Sequence, residues 1–596
     1  MDEGWTVDTP RGILSNVTTT TTDHLFLRQY YLGCLSHASY LVADRSTGTA
    51  VVVDPQRDVA EYLADAAANG FTITHVLETH FHADFLSGHL ELQEATGAVI
   101  GYGRAAEGRA EFPITTFGDG DLIELGRVVL EIRETPGHTP ESISIVVWPD
   151  GLDGQPHGVL TGDTLFIGDV GRPDLLASVG VTADELARSL YHSLHRKLLT
   201  LPDETQVYPA HGAGSACGKH LSTETVSTIG EQVRTNYALA PMTVDQFVEV
   251  VTQGQTAAPL YFPFAATLNR QSRELLHEDD IVPSLSLDEV LAHQRSGAVV
   301  IDARDDREFA QGHLRGSVNV GLGGRFAEYV GEVMEPGTPI VLVAPDGREA
   351  EAKIRLARIG FDRVLGALAD PVQVFFRNPE HVTSLSRLSA ADVTQRQRDV
   401  AGLVLIDVRN AGEVELGSIP GARHIALPEL LRRRNELDPT APTLVFCAGG
   451  YRSAIASSLL WSLGFTDVSD IIGGYTAWAA RPQDVPSVTA GEGMAETSRS
   501  DDPAVLLDVR EADEWAAGHA PHAVLVPMSE IPQRIAELPA GRRIVCICRS
   551  GNRSGQVTAF LRHHGFDVVN LIGGSKAWVE LGLPFVDSAG NPGIVA

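Results

Sequence analysis

Through the first 240 or so residues, short apolar runs alternate with turns rich in glycine, histidine and aspartate: Ser39 to Ala43, Ala50 to Asp54, Thr74 to Glu78, Val128 to Arg133, Ser142 to Trp148 and Gly158 to Leu160. Runs of this length, rich in β-branched residues and bounded by turn formers, predict buried strands. Histidines and aspartates follow several of them. The pattern therefore predicts a β-sandwich core with helices outside and a site at one edge, where loops held by rigid strands carry chemistry.

Downstream the pattern becomes a threefold repeat. Each copy opens with an apolar strand running into an acid and an arginine: Asp302-Ala303-Arg304, Asp407-Val408-Arg409 and Asp508-Val509-Arg510. A glutamate follows four residues after each arginine (Glu308, Glu413, Glu514), then Gly312-His313, Gly417-Ser418 and Gly518-His519. A second buried strand comes next (Ile340 to Val343, Leu444 to Phe446, Ile544 to Ile547), then a glycine-bearing loop and a helix. The helices stop at Gly360, Gly464 and Gly565, each placed as a C-cap before a further strand. Corresponding loops lie roughly 100 residues apart, so each copy is a domain and not a solenoid unit. Strands alternating with helices at this scale imply parallel α/β sheets. The strand arginines and the trailing glutamates recur in all three copies, which predicts that they form a structural ion pair.

These patterns divide the chain into a β-rich module at 1–240, a connector at 241–283, and repeats at 284–380, 386–482 and 487–590. The connector holds Leu260-Tyr261-Phe262-Pro263-Phe264, too apolar for a free linker, and is expected to pack on a domain. Several domains also follow from the length of 596 residues, since a single core stops growing well before that size. A formal charge of -31 disfavours nucleic acid and anionic membrane surfaces, and no apolar run approaches the roughly 20 residues of a membrane span. Five cysteines cannot staple a chain this long, and the N-terminus lacks a basic region followed by an apolar core, so free thiols in a reducing cytoplasm are expected.

The densest chemistry is Thr79-His80-Phe81-His82-Ala83-Asp84-Phe85, which nearly writes H-x-H-x-D-H but ends on phenylalanine. Imidazoles and a carboxylate gather this closely along a loop to hold a cation, because each is otherwise an unpaired polar group in a cleft. Pro136-Gly137-His138-Thr139-Pro140, Thr161-Gly162-Asp163, Gly171-Arg172-Pro173-Asp174 and Pro209-Ala210-His211-Gly212 extend the set. Together these motifs resemble the metallo-β-lactamase superfamily, and within it the glyoxalase II relatives that include the persulfide dioxygenases. That resemblance implies an αββα sandwich, with His80, His138 and Asp163 holding a single Fe(II). It also implies that zinc hydrolases of the superfamily place a second metal on Asp84, the residue after it and the counterpart of His211. Phe85 cannot ligate, so His82, Asp84 and His211 become groups around the first metal or the remnant of a second site. Arg172 is a candidate for a substrate carboxylate, a role suited to its planar fork, or else for a structural salt bridge. Cys34 and Cys217 are either sulfur relays or buried thiols, and His75, His89, His192 and His195 are expected to be structural.

Two repeats carry Cys447-Ala448-Gly449-Gly450-Tyr451-Arg452-Ser453 and Cys548-Arg549-Ser550-Gly551-Asn552-Arg553-Ser554, both C-x-x-G-x-R-S. A cysteine leaving a strand into a glycine-bearing loop at a helix N-terminus faces backbone N–H groups that favour thiolate and bound anions. The repeats resemble rhodanese sulfurtransferases, which implies that Cys447 and Cys548 carry sulfane sulfur and that Arg452 and Arg553 orient sulfite or thiosulfate, or else brace the loop. The first repeat has Ala344-Pro345-Asp346-Gly347-Arg348 at this place, so it keeps no nucleophile, and Cys546 reads as a strand residue.

The combined expectation is an α/β multidomain enzyme that oxidises a low-molecular-weight persulfide, such as glutathione persulfide, with dioxygen to sulfite, and passes sulfur to sulfite as thiosulfate. A zinc thioester hydrolase with rhodanese passengers is the alternative, and a sulfur relay with the metal module as a binding platform is a third. A homo-oligomer is left open.

Overall fold

The computed structural model describes residues 15–175, 180–255, 257–480 and 485–595. The first 14 residues and the expected repeat end at 482 lie outside these stretches. The chain divides into two compact units, one formed by residues 1–387, 402–447 and 451–470, the other by 388–401, 448–450 and 471–596.

Within the first unit, the N-terminal module is built on two sheets. The seven-stranded sheet runs, in spatial order, Ser15–Thr21, Leu25–Leu32, His37–Asp44, Thr49–Val53, Thr72–Leu77, Val99–Gly103 and Thr115–Phe117. The six-stranded sheet runs Ser227–Thr228, Gln206–Pro209, Gly158–Gly162, Ile143–Trp148, Val129–Glu134 and Leu122–Glu124. Alternate residues of both, among them Leu25, Leu27, Val42, Val51, Leu130, Ile132, Ile145 and Val147, interdigitate in one buried core. The opposite faces are covered by helices: Ala60–Asn69 packs Tyr62 and Ala66 on the first sheet, and Ala183–Ser193 packs Ala187 and Leu190 on the second. That outer helix opens with a capping box between Thr182 and Glu185, which satisfies two N-terminal donors at once.

The three repeats are α/β units with five-stranded sheets. In the first the order is Ser284–Leu285, Val364–Leu368, Ile340–Val343, Val299–Asp302 and Val318–Asn319, all parallel. The second is Ser386–Leu388, Val468–Ile471, Thr443–Phe446, Val404–Asp407 and Arg423–His424. The third is Ser487–Val488, Val568–Leu571, Ile544–Ile547, Val505–Asp508 and Val524–Leu525. Their central strands are buried on both faces, which is why they read as unbroken apolar runs. The fold is therefore a two-sheet sandwich with helices on its outer faces followed by three α/β domains with five-stranded sheets, as the resemblances implied. No helix among the described residues is long and apolar enough to cross a membrane.

In the first unit the connector residues Leu260, Tyr261 and Phe262 are buried in one cluster with Phe85, Phe166 and Cys217 of the sandwich and with Phe326, Val330 and Leu356 of the first repeat. Buried ion pairs join the same two modules: Arg358 binds Asp58 through both carboxylate oxygens, at 2.7 and 2.5 Å, and Arg57 binds Glu91 at 3.0 Å and also Asp362.

Candidate metal centre and cysteine loops

His80, His138, Asp163 and His211 each stand just beyond the C-terminal end of a strand, Thr72–Leu77, Val129–Glu134, Gly158–Gly162 and Gln206–Pro209 respectively. Glycine makes this convergence possible at two points. Gly162, at φ +51°, would drive a Cβ to 2.7 Å from Thr79, and a Cβ on Gly171 would lie 1.9 Å from the Asp163 carbonyl oxygen.

One ligand atom each of His80, His138 and Asp163 lies within 4.8 Å of the others, and all three residues are buried. Hydrogen bonds set the ring orientations. Thr79 Oγ1 donates to Asp54 Oδ2 (2.9 Å), so its lone pair receives His80 Nδ1–H (3.0 Å) and leaves Nε2 bare. His138 Nδ1–H donates to the Arg172 carbonyl (2.8 Å), and His211 Nδ1–H to the Ser36 carbonyl (3.1 Å). The outcome is acceptor facing acceptor: His138 Nε2 is 3.5 Å from Asp163 Oδ2 and His211 Nε2 is 3.4 Å from Asp163 Oδ1. His80 Nε2 and both Asp163 oxygens are buried without a hydrogen-bond partner. Lone pairs converging in a dry site call for a cation between them, and two imidazoles with a carboxylate form a donor set that suits one. Burial and the neighbouring imidazoles hold His80 well below the usual histidine range, so its ring is neutral.

The other members of the motif separate. His82 turns away to Asp54 (3.0 Å) and Glu78 (3.3 Å), and despite its burial these carboxylates raise it well above the usual range. Asp84 faces His211 at 3.3 Å, and with Cys217 they form a second group whose ligand atoms lie within 4.8 Å of one another. The Cys217 thiol is pushed up by burial and by Asp84 and Asp163. Phe85 fills space against His37 (ring centroids 4.0 Å) and His82 (4.3 Å). Arg172 binds Asp174 through Nε and Nη2 (2.7 and 2.9 Å), donates Nη1 to the Ala216 carbonyl (3.0 Å), and takes the Cys217 carbonyl on its backbone N–H (3.0 Å). Its guanidinium thus braces the Cys217 turn.

Three residues that sequence reasoning passed over clamp the ligand loop. Asn269 Nδ2 donates to the carbonyls of His82 and Phe85 (2.8 Å each), and its Oδ1 accepts from Ser87 N–H (2.9 Å). Tyr261 Oη donates to the Asp84 carbonyl (2.8 Å), and Leu86 N–H to the Arg358 carbonyl (2.7 Å). The only sequence signal for them was the apolar connector around Tyr261.

Cys447 and Cys548 are buried at the ends of Thr443–Phe446 and Ile544–Ile547 and precede the helices Tyr451–Ser462 and Asn552–His563. Cys548 Sγ accepts from Gly551 N–H (3.1 Å) and Ser554 Oγ (3.3 Å), donors that favour the thiolate. The loop arginines are held in bidentate fashion, Arg452 by Glu413 (2.7 Å twice) and Arg553 by Glu514 (2.6 Å twice). This corrects the expected ion pair: each strand arginine binds the aspartate two residues before it, as Arg304 does Asp302, Arg409 Asp407 and Arg510 Asp508. Glu413 and Glu514 are released to the loop. A residue kept in the cysteine-less copy looked structural, and only the three-dimensional pairing reveals its second use.

The description Metallo-beta-lactamase superfamily matches residues 32–211, and Rhodanese-like domain matches 286–368, 389–481 and 494–581. The mitochondrial persulfide dioxygenase ETHE1 of Bos taurus is 31% identical over 247 residues, 41% of this chain and 87% of that protein. A cytoplasmic hydroxyacylglutathione hydrolase of Arabidopsis thaliana is 33% identical over 187 residues, 31% of this chain and 67% of that protein. The crystal structure of a metallo-beta-lactamase from Staphylococcus aureus subsp. aureus COL, 31% identical, covers 58% of this chain and 99% of its own with a TM-score of 0.52. The chain therefore belongs to the metallo-beta-lactamase superfamily, its N-terminal module homologous to the ETHE1 persulfide dioxygenases and followed by three rhodanese-like domains.

Proposed function

We propose that the chain is a bifunctional persulfide dioxygenase and sulfurtransferase acting on a low-molecular-weight persulfide such as glutathione persulfide. The observation that carries this reading is the meeting of bare ligand atoms at His80, His138 and Asp163 in a module homologous to persulfide dioxygenases, on a chain that also carries two cysteine loops of sulfurtransferase type. Fe(II) held by those three residues supplies the redox chemistry that activates dioxygen, as two imidazoles and one carboxylate do in non-haem oxygenases. The overall change is RSS⁻ + O₂ + H₂O → RS⁻ + SO₃²⁻ + 2H⁺, the terminal sulfur losing the four electrons that dioxygen gains.

The protein's part is positional. Thr79 and the Arg172 carbonyl fix the tautomers of His80 and His138, and the buried walls around Phe85 and Phe166 keep bulk water from the ligand atoms. In the transferase step a cysteine persulfide at Cys447 or Cys548 gives its outer sulfur to sulfite: Cys–S–S⁻ + SO₃²⁻ → Cys–S⁻ + S₂O₃²⁻. Arg452 and Arg553, held by their glutamates, orient the sulfite, and Cys548 leaves as a thiolate stabilised by Gly551 N–H and Ser554. Tethering raises the concentration of sulfite near its acceptor.

Oxygen uptake tests the first activity: iron-loaded protein should consume oxygen when given glutathione persulfide, and no uptake sinks the claim. Thiosulfate formation should vanish in the Cys447→Ser, Cys548→Ser double variant, and persistence refutes the transferase assignment. A second reading, a zinc thioester hydrolase, draws on the Asp84, His211 and Cys217 group and on the Arabidopsis relative. It requires two zinc ions per chain and hydrolysis of an acylglutathione, whereas the dioxygenase reading requires one iron and none.

A further inference from the structure

The first repeat has lost its cysteine, yet it sends a row of polar side chains into the interior of the first unit. Arg325, Glu328, Tyr329 and Glu332 stand at i, i+3, i+4 and i+7, one face of the helix Phe326–Val333 and its entry residue. Arg325 pairs with Glu328. Its Nη1 lies 3.3 Å from where a Cβ of Gly214 would stand, on the turn between His211 and Cys217. The same position lies 3.1 Å from Ser36 Oγ, and the Ser36 carbonyl is what orients His211. The guanidinium thus overhangs the turn that carries one edge of the metal centre. Its Nε is buried without a hydrogen-bond partner, although its side chain keeps 27% of its surface exposed. With Nη2 taken by Glu328 and Nε buried, Nη1 is the donor left over beside the ligand loop, and a guanidinium so placed has the form of an anion receptor. Arg172, the sequence candidate for that role, spends its fork on Asp174 and Ala216.

We propose that Arg325 binds a carboxylate of the persulfide handled at the metal centre, so that the repeat without a nucleophile sets substrate specificity. This rests on the persulfide reading above. Nη1 donates to the carboxylate, Glu328 holds the guanidinium in place through Nη2, and the sulfur end lies toward His80, His138 and Asp163.

The test uses the full-length chain and two probes, glutathione and its diethyl ester, whose carboxylates are masked. By calorimetry, wild type should bind glutathione about tenfold more tightly than the ester, a loss typical of one charge-assisted contact. Arg325→Gln should abolish that preference and Arg325→Lys should restore part of it. With the corresponding persulfides, Arg325→Gln should raise KM about tenfold for the acid with kcat within twofold, and leave the ester unchanged. Equal losses for both probes mean a structural role and overturn the proposal, as does a wild type that does not distinguish acid from ester, a comparison that needs no variant to fold. If the binding preference holds but no persulfide supports oxygen uptake, the catalytic reading falls and the carboxylate site stands.

Discussion

At the scale of single residues, the ligand loop is governed by a side chain that ligates nothing. Asn269 supplies three buried hydrogen bonds to the backbone of residues 82–87. Each buried bond is worth about 1 kcal/mol net and more where a partner is stranded. Asn269→Ala should therefore cost about 2–4 kcal/mol in urea unfolding and loosen the approach of His80 to His138 and Asp163. Chelator competition should show weaker metal retention than wild type. Retention equal to wild type, with only stability lost, would mean that the loop keeps its shape without the clamp. The grouping of His80, His138, Asp163 and His211 was legible in the sequence because each follows an apolar run that ends as a strand, so topology alone brings them to one edge. Asn269 was not, because it acts across 180 residues of chain through backbone carbonyls, and a carbonyl leaves no mark in a sequence. Glu413 and Glu514 were visible but misassigned, since spacing on a strand cannot tell which of two nearby arginines a carboxylate will take.

At the scale of elements, the helix Phe326–Val333 departs from what its repeat prescribes. Its apolar residues Phe326, Ala327, Val330 and Val333 build the common core as expected, but Glu328 and Glu332 are buried beside them. Burial pushes Glu332 up to about 8; Glu328 adds to the rise, and Arg325 and Arg452 oppose it. Tyr329, in the same row, lies against Tyr451 with ring centroids 5.4 Å apart. Below pH 4.5 Glu332 is neutral in both folded and unfolded chains and contributes nothing. As pH rises toward 8 the unfolded chain gains by ionising while the folded chain keeps its proton, so this group makes stability fall across that window. Glu332→Gln removes the penalty: the variant should match wild type in urea unfolding at pH 5 and surpass it at pH 8. A variant weaker than wild type at pH 8 would show that an ionised Glu332 is needed by Arg452. Such a row was hard to read beforehand because a charged residue every third or fourth position is the usual mark of a solvated helix face.

At the scale of the whole molecule, the family matches draw a sandwich and three repeats as separate modules, but the first unit joins the sandwich, the connector and the first repeat through one core. The Staphylococcus aureus structure covers 58% of this chain, a longer stretch than the superfamily match at 32–211. A chain ending at residue 283 would keep the connector and lose Arg358, Asp362 and the helix Phe326–Val333. Phe85, Leu260, Tyr261 and Phe262 would then face water, at about 1.5–3 kcal/mol each, a sum comparable to the total stability of an ordinary domain. Asp58 would lose its guanidinium and Leu86 N–H its carbonyl acceptor, both next to the ligand loop. The truncated chain should bind less than one metal per chain, expose apolar surface to a hydrophobic dye, and unfold at lower urea than the metal module of the intact protein followed by its own fluorescence. If it instead folded and held metal as the intact chain does, the sandwich would be an independent domain, and the cysteine-less repeat would have to owe its place to something other than completing the metal module.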